Sequence, residues 1–147
     1  MNIEVYHLDA LFWKPNWTPT SKEEQRLVQT ELVKKEEWII DGNYNATMDI
    51  RLNAVDTIIF VDISRVICIY RVLKRMIQYR GKSRPDMAAG VNERFDIDFL
   101  KWAWDYPKTK KPIVLEKLEQ LPNDKKTIIL KTPREVQLFL DNVKAEL

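Results

Sequence analysis

Three glycines, one cysteine and one histidine are all that the 147 residues hold of these types, and each scarcity closes off a chemistry. Gly42, Gly81 and Gly90 stand too far apart to write a G-x-x-x-x-G-K-[ST] loop anywhere in the chain, so the usual phosphate cradle is absent from it. A lone Cys68 excludes an internal disulfide, and with a lone His7 it leaves no plausible zinc set. Flanked by Val66, Ile67 and Ile69, Cys68 reads as a buried, inert thiol. No apolar run approaches the ~20 residues that span a bilayer, and the N-terminus has neither a charged nor an apolar signal region; the expectation is a cytoplasmic protein without a membrane partner. Charge of one sign is also lacking overall: 24 basic against 22 acidic side chains give a field too weak to argue for nucleic acid, so any basic function must be local. A hydrophobic fraction of 45% with 31% charged residues is that of a globular chain, and residues 1–147 are expected to form a single domain.

What is present alternates between strand and helix signals. Ile3 to Leu8 reads as a strand that delivers Asp9 at its carboxyl end, and Trp13-Lys14-Pro15-Asn16-Trp17-Thr18-Pro19 as an irregular loop carrying two indoles. Ser21 with Glu24 has capping-box spacing, predicting a helix from near Lys22 to about Glu37. Trp38-Ile39-Ile40 and Thr57 to Asp62 are continuous apolar runs, the pattern of parallel strands buried on both faces. Arg65 to Tyr79 is an amphipathic helix with Ile67, Tyr70, Leu73 and Ile77 on one face and Arg71, Lys74, Arg75 and Gln78 on the other. Residues 80–90, polar and glycine-bounded, read as a mobile loop short of apolar anchors. Phe95 to Leu121 is helical with interruptions at Pro107 and Pro112, Thr127 to Leu130 is the last strand, and Thr132-Pro133 opens a final helix. Strands separated by helices give an α/β chain with a three-layer parallel sheet flanked by helices.

Ligands of such sheets bind at the carboxyl ends of the strands, where Asp9, Asp41 and Asp62 stand. A strand-ending aspartate also caps the next helix, the role that Ser64-Arg65 suggests for Asp62. Asp41 is the strongest catalytic candidate, because Asp41-Gly42-Asn43-Tyr44 packs a carboxylate, a permissive glycine and two hydrogen-bonding side chains into four residues. Asp9 follows, with Trp13 as a wall on which a planar ligand stacks or as a loop aromatic folded onto the core. His7, within a strand, reads as structural rather than as a general base.

Between Arg65 and Pro85 stand seven basic side chains and no acidic one. Neighbouring cations ~6 Å apart repel by about 1 to 3 kcal/mol at effective dielectric constants of ~20 to 60, so the face invites an anion. Arginine forks suit phosphate, and those of Arg80 and Arg84 on a glycine-hinged segment can close over one. The competing reading is a solvated basic face whose carboxylates come from elsewhere in the fold.

His7-Leu8-Asp9, Trp13-Lys14-Pro15-Asn16-Trp17, Trp38 to Tyr44, Arg71-x-x-x-Arg75, Arg84-Pro85-Asp86, Phe99-Leu100-Lys101-Trp102 and Thr132 to Val136 occur in an order and spacing that resemble the topology modulation proteins of FlaR type, adenylate-kinase-like P-loop proteins. The resemblance covers essentially the whole chain. It implies a P-loop kinase-like fold, ATP and Mg2+ as cofactors, and phosphoryl transfer to a nucleotide or small-molecule acceptor. Asp9, Asp41, Asn43 and Arg51 would then belong to the acceptor side, and Arg71, Arg75, Arg80 and Arg84 to a lid over the donor phosphates. The chain departs from the family at its start, since only Met1 and Asn2 precede what resembles the second strand. A central first strand and the phosphate loop are therefore missing, through truncation, a late start or real loss, and activity of this chain alone is expected to be low. Two other readings stay open. One is DNA binding through residues 65–84, which should weaken by about three orders of magnitude between 50 and 200 mM salt. The other is a non-catalytic interaction module that self-associates through exposed sheet edges.

Overall fold

The short apolar runs fold as strands, and the strands pair two by two. In the computed structural model residues 3–146 are described, and they divide into one unit of residues 3–55 and 75–95 and another of residues 56–74 and 96–146. Met1 and Asn2, on which the expectation of a missing first strand turned, lie outside the described residues.

In the unit of residues 3–55 and 75–95, β1 (Val5–His7) pairs in parallel with β4 (Ile39–Asp41), in a register that sets His7 opposite Asp41. Between them come α1 (Leu8–Phe12), β2 (Trp13–Lys14), β3 (Thr18–Pro19) and α2 (Lys22–Leu32). The segment expected to be irregular is a small antiparallel hairpin, β2 against β3, turned through left-handed Asn16 (φ 60°) and Trp17 (φ 56°). Asparagine tolerates that region; tryptophan does so at a cost, and its indole Nε1 is tied to the Asn92 carbonyl at 2.8 Å. Ser21 caps α2 as its spacing predicts, accepting from the Glu24 amide at 3.1 Å, but the helix ends at Leu32 rather than near Glu37. A further helix, α3 (Met48–Ala54), carries no side-chain cap and gave no start signal in the sequence.

The unit of residues 56–74 and 96–146 holds the other parallel pair, β5 (Thr57–Val61) with β6 (Lys126–Leu130), in register from Thr57↔Lys126 to Val61↔Leu130. Its helices are the first part of α4 (Arg65–Gln78), then α5 (Ile97–Thr109), α6 (Lys111–Glu119) and α7 (Pro133–Ala145). Thr132 caps α7 by accepting from the Glu135 amide, with Pro133 at the first helical position. Pro107 sits inside α5 near its end and Pro112 in the first turn of α6, so neither interrupts a helix in mid-course.

The protein is thus a mixed α/β fold with short parallel pairs, but one continuous sheet is not formed among the described residues. Nor are the apolar runs buried on both faces. Ile59 and Val61 remain 46% and 53% exposed, and burial alternates along β5. A two-stranded sheet explains this: each strand has an unpaired edge, and only alternate side chains point toward a cover. Tyr70 and Ile77, on the apolar face of α4, are exposed as well, while Met76 is buried. Residues 80–90 are better anchored than their composition suggests, because Met87 is buried, Val91 follows at 1% exposure, and backbone bridges join Arg80 to Glu93 and Ser83 to Asn92. Among the described residues no helix is long and apolar enough to cross a membrane.

Candidate functional site

The buried polar groups gather in one place. Thr20, Gln29, Thr47, Arg51 and Glu93, the buried polar and charged residues among those described, all belong to the unit of residues 3–55 and 75–95. Three of them, Gln29, Thr47 and Arg51, support the turn at the end of β4. The Gly42 backbone has φ +142°, and a Cβ there would meet the Leu8 Cβ at 2.9 Å, so the turn both bends and packs as only glycine allows. Arg51 reaches under it from α3, donating from Nη1 to the Gly42 carbonyl at 2.8 Å and from Nη2 to the Asn43 carbonyl at 2.7 Å. Burial pulls the Arg51 guanidinium down to about 10, with Asp41 nearby acting in the opposite direction. The fork expected to face an acceptor is therefore taken up in holding the Asp41-Gly42-Asn43-Tyr44 turn. Thr47 accepts from the Gln29 amide at 2.7 Å and fixes the start of α3 beside it.

That turn presents three groups. Asp41 meets the His7 imidazole, Oδ2 to Nδ1 at 3.0 Å, as a direct consequence of their register on β4 and β1. The pair is open to solvent, with side chains 40% (His7) and 68% (Asp41) exposed. Asn43 is exposed and Tyr44 is half-buried. Tyr44 takes the left-handed conformation (φ 38°, ψ 60°), rests edge-on against Phe12 at 5.1 Å, and donates from its phenol to Asp9 Oδ1 at 2.7 Å. Burial, then the bond to Asp9, raises the Tyr44 phenol far above its ordinary value. Trp13 packs edge-to-face with Trp17 at 5.6 Å beside this group.

The arginines of α4 and of the following loop are not an uncompensated row. Glu93, 5% exposed, sets Oε2 between the Arg75 Nε at 3.1 Å and the Arg84 Nε at 3.2 Å, and Asp86 stands 3.6 Å from Arg84. Glu93 is itself fixed by the backbone, its amide donating to the Lys82 carbonyl and its carbonyl accepting from Gly81. The expected absence of counterions holds within residues 65–85 and fails in space, because the chain returns eight residues after Pro85 to supply one. Burial lowers the Arg75 guanidinium, as does the neighbouring Arg84, against the opposing charges of Glu93, Asp86 and Asp9. Asp9, in the same unit, acts on the Arg75 guanidinium in the direction of Glu93 and Asp86, as the smallest of these influences.

Of the residues expected on sequence grounds, Asp9, Asp41, Asn43, Tyr44, Arg51, Trp13, Arg75, Arg80 and Arg84 share this unit; Arg71 belongs to the other. Arg80 is exposed. Asp62 belongs to the other unit and forms an ion pair with Lys111 at 2.6 Å. Sequence reasoning missed His7 as the partner of Asp41 and Glu93 as the anchor of the arginines. The first was discoverable from the parallel pairing of the two runs, whereas the second has no local signal. Compared with protein family models, curated proteins and solved structures, the chain matches none.

Proposed function

We propose that this chain carries the acceptor-binding and arginine-bearing part of an ATP-dependent kinase for a nucleotide or other small molecule, of the topology modulation type, on a P-loop kinase-like fold. One observation carries the reading: the Asp9–Tyr44 hydrogen bond and the Arg75–Glu93–Arg84 cluster lie in the same unit, with Asp9 within electrostatic reach of Arg75. A carboxylate that orients or deprotonates a hydroxyl, set near guanidinium groups that offset phosphoryl charge, is what such a transfer needs from the acceptor side. Asp41, exposed on its rigid turn and paired with His7, is the second carboxylate for that role.

The donor half does not fit the residues present. ATP with Mg2+ relies on a glycine-rich loop, its lysine and its Ser/Thr, which this sequence cannot supply, and among the described residues no three His, Cys, Asp or Glu side chains cluster to hold a metal. No step through ATP or Mg2+ is assigned to these residues. The purified 147-residue chain is expected to hydrolyse ATP no faster than a buffer control in a phosphate-release assay. Turnover at the 1–100 s⁻¹ ordinary for kinases would show that the residues present supply the donor half as well.

A further inference from the structure

We infer that the carboxyl ends of β5 and β6 form a separate anion site, which takes a small phosphate-bearing ligand. The two strands run parallel and in register, so the residues that follow them emerge side by side, Asp62 after Val61 and Lys131 after Leu130, joined by the Asp62 amide donating to the Leu130 carbonyl at 2.8 Å. Arg65 from the first turn of α4, Pro107 and Lys108 from α5, and Lys111 from α6 complete the wall of a cavity of about 350 Å3. This is near the small end of ligand sites, room for a phosphate with a modest substituent.

The charges do not cancel. Asp62 is the one carboxylate on the wall, and it is spent on Lys111 at 2.6 Å. Arg65, Lys108 and Lys131 remain, and the other carboxylate held beside them, Glu135, accepts from the Lys131 backbone amide at 2.6 Å. Arg65 lies 4.2 Å over the Trp104 ring, a stacking contact that uses the flat face of the guanidinium and leaves its N–H edge available to an oxyanion. Three cations converging on one open cavity repel one another until an anion enters, and a phosphate monoester, carrying about −1.5 to −2 at neutral pH, comes close to balancing them. The backbone amides that open α4, a 14-residue helix, add the positive end of its dipole. A shorter-chain carboxylate meets the same cations with less charge and one oxygen fewer. The site does not rest on the kinase reading, because every residue in it belongs to the unit of residues 56–74 and 96–146.

The test is a titration of the full 147-residue chain with inorganic phosphate and with pyrophosphate at low ionic strength, followed by amide NMR. Saturable shifts are expected at Ser64, Arg65 and Lys131. Lys108→Ala and Lys131→Ala should each weaken binding by about three- to tenfold, the loss of one partly solvated Coulomb contact, and Lys34→Ala, at an exposed position of the other unit, should leave it unchanged. Asp62→Asn, which releases Lys111, should tighten it. Shifts that never saturate, or that are indifferent to both Lys108→Ala and Lys131→Ala, would overturn the site; thermal melts of the exposed-lysine variants verify that each is folded.

Discussion

The two parallel strand pairs have the same backbone arrangement and opposite chemistry at their carboxyl ends. β1 and β4 end in His7 and Asp41, with Asp9 in the short helix that follows β1, whereas β5 and β6 are followed directly by Asp62 and Lys131, with Lys108 and Lys111 on the same cavity wall. Parallel register brings the two strand ends together in both cases; the residue that happens to come next decides whether the result attracts cations or anions. The arginines differ in the same way. Arg75 and Arg84 are tied to a buried glutamate, while Lys108 and Lys131 have no carboxylate on their wall that is not already taken by Lys111. A basic run therefore tells where cations lie along the chain, and only the fold tells which of them are already neutralised.

The sharpest way to break this contrast is to remove the glutamate. Glu93→Ala leaves two largely buried guanidinium groups facing one another and is expected to cost about 3 to 5 kcal/mol in urea unfolding, whereas Lys131→Ala should stay within about 0.5 kcal/mol of the parent. Equal and small losses would mean that the arginines are as free as the lysines. Next in size, Arg51→Met should cost about 2 kcal/mol, because the Gly42 and Asn43 carbonyls lose their donors. A variant as stable as the parent would return Arg51 to the role of a ligand-facing group.

The smallest effect is a pH dependence at the alkaline end. Tyr44 is held above its ordinary 10.0 by burial and by its bond to Asp9. Above about pH 10 the unfolded chain loses the phenol proton while the folded chain keeps it, so the stabilisation is complete below that pH and declines as the pH rises further. Tyr44→Phe should therefore lie about 1 kcal/mol below the parent at pH 8, and melting curves should show the gap narrowing by pH 11. A gap that widens with pH would place the phenol outside the Asp9 contact.

Much of the local structure was readable because it depends on near neighbours. The Ser21 and Thr132 caps, the start of α4 at Arg65 and the strands at 57–61 and 126–130 rest on spacings of a few residues, and they fold as expected. α3 was not readable, since it starts on a buried Thr47–Gln29 hydrogen bond between residues 18 apart rather than on a cap. The hairpin at Trp13 to Pro19 was hidden by its prolines, which sit outside the few backbone bonds that such a short ladder makes. Rules applied to one charge also miss the other: the reasoning that drew attention to Asp9, Asp41 and Asp62 as strand-end residues applies equally to Lys131, which follows β6 directly.

By itself the sequence determined which residues carry charge, which segments alternate between strand and helix, and that no glycine-rich phosphate loop can be written in these 147 residues. Those properties follow from composition and short-range sterics. Tertiary structure decided that Arg51 supports a turn instead of facing outward, that Glu93 neutralises Arg75 and Arg84, that His7 meets Asp41, and that the cations around β5 and β6 surround a cavity. These join groups far apart in the chain, from Arg51 and Asn43 at 8 residues to Arg65 and Lys131 at 66 (131 − 65), and Coulomb and hydrogen-bond energies depend on distance through space, which the order of residues along the chain does not contain.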